Sequence, residues 1–134
     1  MRFRVLTTAM LAYAVLSASN PPKILAGPDA RRLVLAALSK ETKELPGLGV
    51  VPGRTESGRC MTLDVLWANP GIGSAHVAFY IVDLHTAAVW TGVTGVLSLV
   101  STPELARLQR QLRKSIGSSD AGYREAVEKH ACGY

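Results

Sequence analysis

The chain has 134 residues with 15 Lys and Arg against 10 Asp and Glu, a formal charge of +5. That length supports one domain with a small but real core and excludes a two-domain enzyme. An apolar fraction of 48% excludes a disordered chain, and the mild positive charge alone does not point to nucleic acid.

The N-terminus reads as an export signal. Met1-Arg2-Phe3-Arg4 is a basic tip, Val5 to Val15 carries no charge, and Leu16-Ser17-Ala18-Ser19 is rich in small residues before Asn20-Pro21-Pro22. These are the three parts of a cleaved secretory leader, and the apolar run is shorter than the roughly 20 residues that span a bilayer. The expected organisation is a signal peptide over 1–19, a flexible lead-in over 20–27 and one domain over 28–134. Removal of Arg2 and Arg4 leaves 13 cations against 10 anions, or +3. The expected destination is the periplasm or the exterior, with no transmembrane segment in the mature chain.

A helix is predicted over about 28–44. Pro28-Asp29 opens it, Leu33, Ala36 and Ala37 recur on one side, and Leu45-Pro46-Gly47 stops it. The stretch 45–58 holds Pro46, Gly47, Gly49, Pro52, Gly53 and Gly58, the composition of a loop or an irregular sheet edge.

From Arg59 the period changes to two. Met61, Leu63, Val65 and Trp67 alternate with Thr62 and Asp64, which predicts a half-buried strand. Asn69 to Gly73 is a turn by composition. Ala75 to Val82 is apolar on both faces, as a central strand is. Asp83 to Ala88 is a tight connection. Val89 to about Val100 is a third strand, with Gly92 or Gly95 as a point of interruption.

Thr102-Pro103-Glu104 supplies a hydroxyl cap, a proline at the first helical position and an acid in the first turn. Leu105, Leu108, Leu112 and Ile116 line one face of the helix that follows, and Gly117-Ser118-Ser119 ends it. Asp120 to Lys129 reads as a last short helix. The fold class is therefore α+β: an N-terminal helix, a three-stranded antiparallel meander, and one or more C-terminal helices packed on the sheet.

Cys60 and Cys132 are the two cysteines. An even count in an oxidising compartment predicts a disulfide between them. The competing pattern, His130 and Cys132 as a metal pair, offers too few ligands for a structural zinc site.

The apolar strand that ends in Asp83, the turn through Thr86 and Ala87, and the strand opening at Val89-Trp90 resemble a hairpin of PepSY-type exported domains. The resemblance extends over residues 28–100 at most, and Ala87 stands where that pattern has glycine. It implies one helix followed by a meander, and a role in inhibition or partner binding at the cell envelope.

Chemistry is sparse in this sequence. Asp83 and His85, with His76 on the preceding strand, are the elements of an Asp-oriented base, and Ser74 and Thr86 are nearby hydroxyls. No nucleophile elbow or comparable frame surrounds them. As a turn residue Asp83 has a simpler use, accepting backbone N–H bonds. Asp64, His76, Asp83, His85 and His130 lack the close spacing of metal ligands, so no metal and no cofactor is expected. Trp67 shares the alternation of Met61 to Val65 and belongs with the core. Trp90, beside a turn, fits core and binding rim equally.

The most usable surface lies on the Thr102 helix. Arg107, Arg110 and Lys114 follow i, i+3, i+7 with no acid between them, so a negatively charged partner would relieve their repulsion. With Trp90, these are the candidate binding residues. The sequence is thus read as a small exported binding protein without enzymatic activity, an inhibitor or immunity-type protein contacting a protein in the envelope. A small hydrolase using Asp83 and His85, and a structural protein on an anionic surface, are the alternatives.

Overall fold

A computed structural model describes residues 23–56, 58–69, 71, 73–93 and 96–132. The expected leader over 1–19 lies outside the described residues. The order is α1 (Gly27–Ala37), α2 (Lys40–Lys43), β1 (Leu48–Glu56), β2 (Cys60–Asn69), β3 (Gly73–Asp83), β4 (Val89–Val93), β5 (Val96–Leu99), α3 (Pro103–Ile116) and α4 (Asp120–Glu128). The class is α+β, and the sheet has five strands in the order β1-β2-β3-β4-β5, every neighbour antiparallel.

Five strands replace the expected three, for two reasons. Of the two readings of the Gly/Pro-rich stretch after Leu45, the irregular sheet edge is the one observed: it forms the edge strand β1, paired with β2 from Leu48↔Trp67 to Glu56↔Cys60. Its breakers are absorbed where the register shifts between Pro52 and Thr55. There a Cβ on Gly53 would lie 2.6 Å from Thr62 Oγ1. Glycine at this point is therefore a condition of close strand approach. Thr62 fastens the bulge, accepting the Arg54 N–H at 2.9 Å and donating to the Arg54 carbonyl at 3.1 Å. The second reason is that the expected third strand is a hairpin, β4 and β5, folding back between Val93 and Val96.

The N-terminal helix is also shorter than expected. α1 stops at Ala37, and Leu38 and Ser39 are extended. Ser39 then caps α2, its Oγ accepting the Thr42 N–H at 3.2 Å. The end of the lead-in is anchored: Leu25 is buried, and its N–H donates to the Leu84 carbonyl at 2.9 Å.

Alternation along the strands divides the core in two. Leu33, Val34 and Ala37 of α1 and Leu105 and Leu112 of α3 pack with Leu63, Val65, Tyr80, Val82 and Val89 on one sheet face. Ile81 and Trp90 point to the other face, where they meet Cys132 and, from α4, Tyr123 and Val127. The α3–α4 corner therefore carries the chain from one face of the sheet to the other. Arg113 marks this corner, buried, with its guanidinium carbon 4.5 Å from the Tyr123 ring centroid. Its Nη2 donates to Asp120 at 3.1 Å.

Thr102 caps α3 as its sequence predicts, with Oγ1 accepting the Leu105 N–H at 3.1 Å. Gly117 closes the helix at φ 72°, a conformation that favours glycine. The Cys60–Cys132 disulfide is formed, with an S–S distance of 2.12 Å and Cα atoms 5.5 Å apart. It ties the start of β2 to the segment after α4. Among the described residues, no helix is long and apolar enough to cross a membrane.

Candidate functional site

The turn Asp83 to Ala88 joins two central strands, so its polar groups must be satisfied inside the protein. Asp83 does most of this. Its side chain is fully buried. Oδ1 accepts from Arg59 Nε at 3.0 Å and from the His85 N–H at 3.0 Å. Oδ2 accepts from Arg59 Nη2 at 3.0 Å and from Thr86 Oγ1 at 2.6 Å. The fork of Arg59 matches the carboxylate in two places. The hydrogen bond to Asp83 holds the Arg59 guanidinium above its ordinary range, against the cost of partial burial. Register explains the pairing: Cys60 lies opposite Asp83, which brings Arg59 to the same corner.

Ala87 completes the turn in the left-handed region at φ 65°, fully buried. An alanine thus occupies a backbone conformation that favours glycine. Its N–H donates to the Asp83 carbonyl at 2.8 Å, and its own carbonyl accepts Gln109 Nε2 at 2.9 Å. Gln109 was invisible as a structural residue in sequence. It is buried on α3 with Leu105 and Leu112, while Leu108 packs against the same core only partly buried. The missed signal was the i, i+4 spacing from Leu105.

This geometry separates the candidate catalytic residues. The Asp83 oxygens are engaged by Arg59, Thr86 and a backbone N–H, while the His85 side chain is exposed. The imidazole that meets a carboxylate is His76, whose Nε2 lies 3.0 Å from Asp64 Oδ1 on an exposed part of the sheet. Asp83 and His85 therefore do not form an oriented base. Among the described residues, no group of three or more His, Cys, Asp or Glu is placed to hold a metal ion. His130 follows α4 at φ 48° and is exposed, while Cys132 is in the disulfide.

The candidate binding residues also divide. Trp90 is 2% exposed, between Ile81 and Leu99 on its neighbouring strands, so its ring serves the core. Trp67 is half-buried near the end of β2. Arg107, Arg110 and Lys114 are all exposed on α3, and none of them forms an ion pair among the described residues.

Arg107 lies at the rim of an open groove of about 670 Å³ between α1 and α3. Leu35, Ala36 and Leu108 contribute its apolar surface, and Arg32, Lys43 and Gln111 stand with Arg107 around it. Glu104 is the acid on this rim, and Lys43 Nζ already binds its Oε2 at 3.0 Å. Arg32 Nη1 is 3.3 Å from Asp29 in an exposed pair on the same helix. Such pairs are worth little, so both lysine and arginine heads remain open to exchange.

No protein-family model matches the chain, and no curated protein matches it. A solved structure does match, with a TM-score of 0.61 and 19% identity. The match covers 83% of this chain and 92% of the other. That other chain belongs to a type VI secretion system effector–immunity complex from Pseudomonas protegens. At this identity the likeness establishes a shared fold.

Proposed function

We propose that this chain is an exported immunity-type protein, which blocks a toxin or hydrolase in the cell envelope by protein–protein contact. The observation that carries the reading is the fold match to a chain of an effector–immunity complex, extending over most of both chains. Three features support it. The Cys60–Cys132 disulfide suits an oxidising compartment. The leader-like N-terminus agrees with export. The titratable residues that first suggested catalysis are engaged in a turn or set apart on the sheet.

On this reading the molecule works as a rigid scaffold with a charged helical layer. The sheet and the disulfide fix the backbone in advance, which lowers the entropy lost on binding. Arg107, Arg110 and Lys114 of α3, without ion pairs among the described residues, steer and orient an acidic surface.

The test is co-expression in the periplasm with a panel of envelope-targeted secreted toxins. Rescue of growth, together with a stable complex on gel filtration, is the expected result. Absence of rescue, combined with a hydrolytic activity of the purified chain that His76→Ala or His85→Ala abolishes, would replace the reading with an enzymatic one.

A further inference from the structure

We propose that the α1–α3 groove receives an acidic amphipathic helix of the partner protein, apolar side inward and carboxylates on Arg32 and Arg107. This deepens the protein-binding reading given above and rests on it.

Shape supplies the first argument. The groove runs between two helices, and its apolar contribution comes from Leu35, Ala36 and Leu108. Leu35 and Leu108 are only partly buried, so each has apolar surface left to cover. A cleft between helices accepts another helix through regularly spaced apolar anchors. Leu35 and Leu108 give the groove an apolar floor that a hydrated lipid headgroup would not cover, which favours a protein segment with apolar side chains.

Charge supplies the second. Arg32, Lys43 and Arg107 face the cleft together with the acid Glu104, and Arg32 also pairs with Asp29 at 3.3 Å in an exposed contact. Glu104 is itself neutralised by Lys43. Arg107 has no internal counter-ion among the described residues, and Arg110 and Lys114 extend the same sign along α3. A basic helix would add to the unpaired charge of Arg107, Arg110 and Lys114; an acidic one offsets it on the α3 rim and exchanges with the exposed Asp29 for Arg32 on the α1 rim. The occupant is therefore apolar on one side and acidic on the flanks.

The experiment is an NMR titration of the disulfide-intact chain with a helical peptide bearing Leu on one face and Glu on the flanks. A peptide with Lys in place of Glu is the charge control, and vesicles of phosphatidylcholine and phosphatidylglycerol are the surface control. The expected result is saturable shifts at Leu35, Ala36, Leu108 and Gln111 with the Glu peptide only, weakening as salt is raised. Arg107→Glu should reduce the affinity about tenfold, and Arg107→Ala by less. Arg124→Glu, an exposed change on α4, should leave it unchanged.

Three results would overturn the proposal: equal binding of the Lys peptide, shifts confined to the Arg110–Lys114 side of α3, or vesicle binding that the Glu peptide does not displace. The last would assign the basic layer to anionic lipid. The titration contains no toxin, so its failure is separate from a failure to neutralise one.

Discussion

The Asp83 turn and the outer layer of α1 and α3 are both rich in charge, and they use it in opposite ways. At the turn, each carboxylate oxygen accepts two hydrogen bonds and the carboxylate is sealed from water. On the helical layer, Arg107, Arg110 and Lys114 are exposed and without internal counter-ions among the described residues. The difference teaches where function can reside. A charge already committed inside the fold cannot be offered to a ligand without large loss, whereas an exposed unpaired row costs little to engage.

The strongest way to break this comparison is to remove Asp83. Asp83→Ala leaves Arg59 without its partner, and strands the buried Thr86 hydroxyl. We expect a loss of about 3 kcal/mol in urea unfolding: the turn hydroxyl and N–H lose their buried acceptor, while Arg59, 35% exposed, is partly rehydrated. Unchanged stability would mean that the carboxylate is held for chemistry instead. His85→Ala is the matched control two residues on. Only the His85 backbone N–H is used at this turn, so the change should stay within about 0.5 kcal/mol.

The disulfide comes next. Cys60 and Cys132 are separated by 72 residues. The chain-entropy account gives about 4 kcal/mol for a loop of that length, and relaxation lowers the usual yield to about 2–4 kcal/mol. Cys132→Ser should lose that much, with faster amide exchange concentrated in α4. The second core beside Cys132 is small, whereas the layer under α1 and α3 does not include the bond. Uniform loss across the sheet would show that the two faces fold as one unit.

A pH effect follows from Tyr80. Burial raises its phenol above the ordinary 10.0, partly offset by a hydrogen bond with Thr91. A raised value means that the folded state favours the neutral phenol. Its contribution is complete below pH 10 and is lost as pH rises through the higher folded value. Tyr80→Phe should therefore flatten the alkaline limb of the stability curve above pH 10 and leave neutral pH nearly unaltered. An equally steep alkaline limb in the variant would place the titration elsewhere.

The smallest expected stability change belongs to the helical layer. Arg107→Glu and Arg110→Glu should each change the unfolding free energy by less than about 0.5 kcal/mol, since neither makes an ion pair among the described residues. A larger loss would show that the row is structural and remove the contrast with Asp83.

The elements that sequence revealed are those with local signals. Thr102-Pro103-Glu104 marked the start of α3 because cap, proline and acid act within one turn. The alternation of Met61, Leu63 and Val65 marked β2, and two cysteines sufficed for the disulfide. β1 was legible only as one of two readings, a loop or an irregular edge, because Pro52 and Gly53 normally break strands and their place in the pairing depends on the approach of Thr62 from β2. The break after Ala37 was hidden by continued helical composition, although Ser39 is a cap. Asp83 was legible as a turn residue, but its union with Arg59 required the β2–β3 register. The exposed row at Arg107, Arg110 and Lys114 followed from helical spacing. The groove beside it did not, because it depends on how α1 lies against α3.

The central claim is that this fold binds a protein through its helical layer while the Asp83 turn holds the scaffold. Calorimetric titration with the protein captured in the co-expression test, performed on the wild type and on Arg107→Glu alongside thermal unfolding of each, tests it most directly. The account predicts at least a tenfold loss of affinity with an unaltered midpoint. Unchanged affinity, or a loss that appears only together with a lowered midpoint, would contradict it.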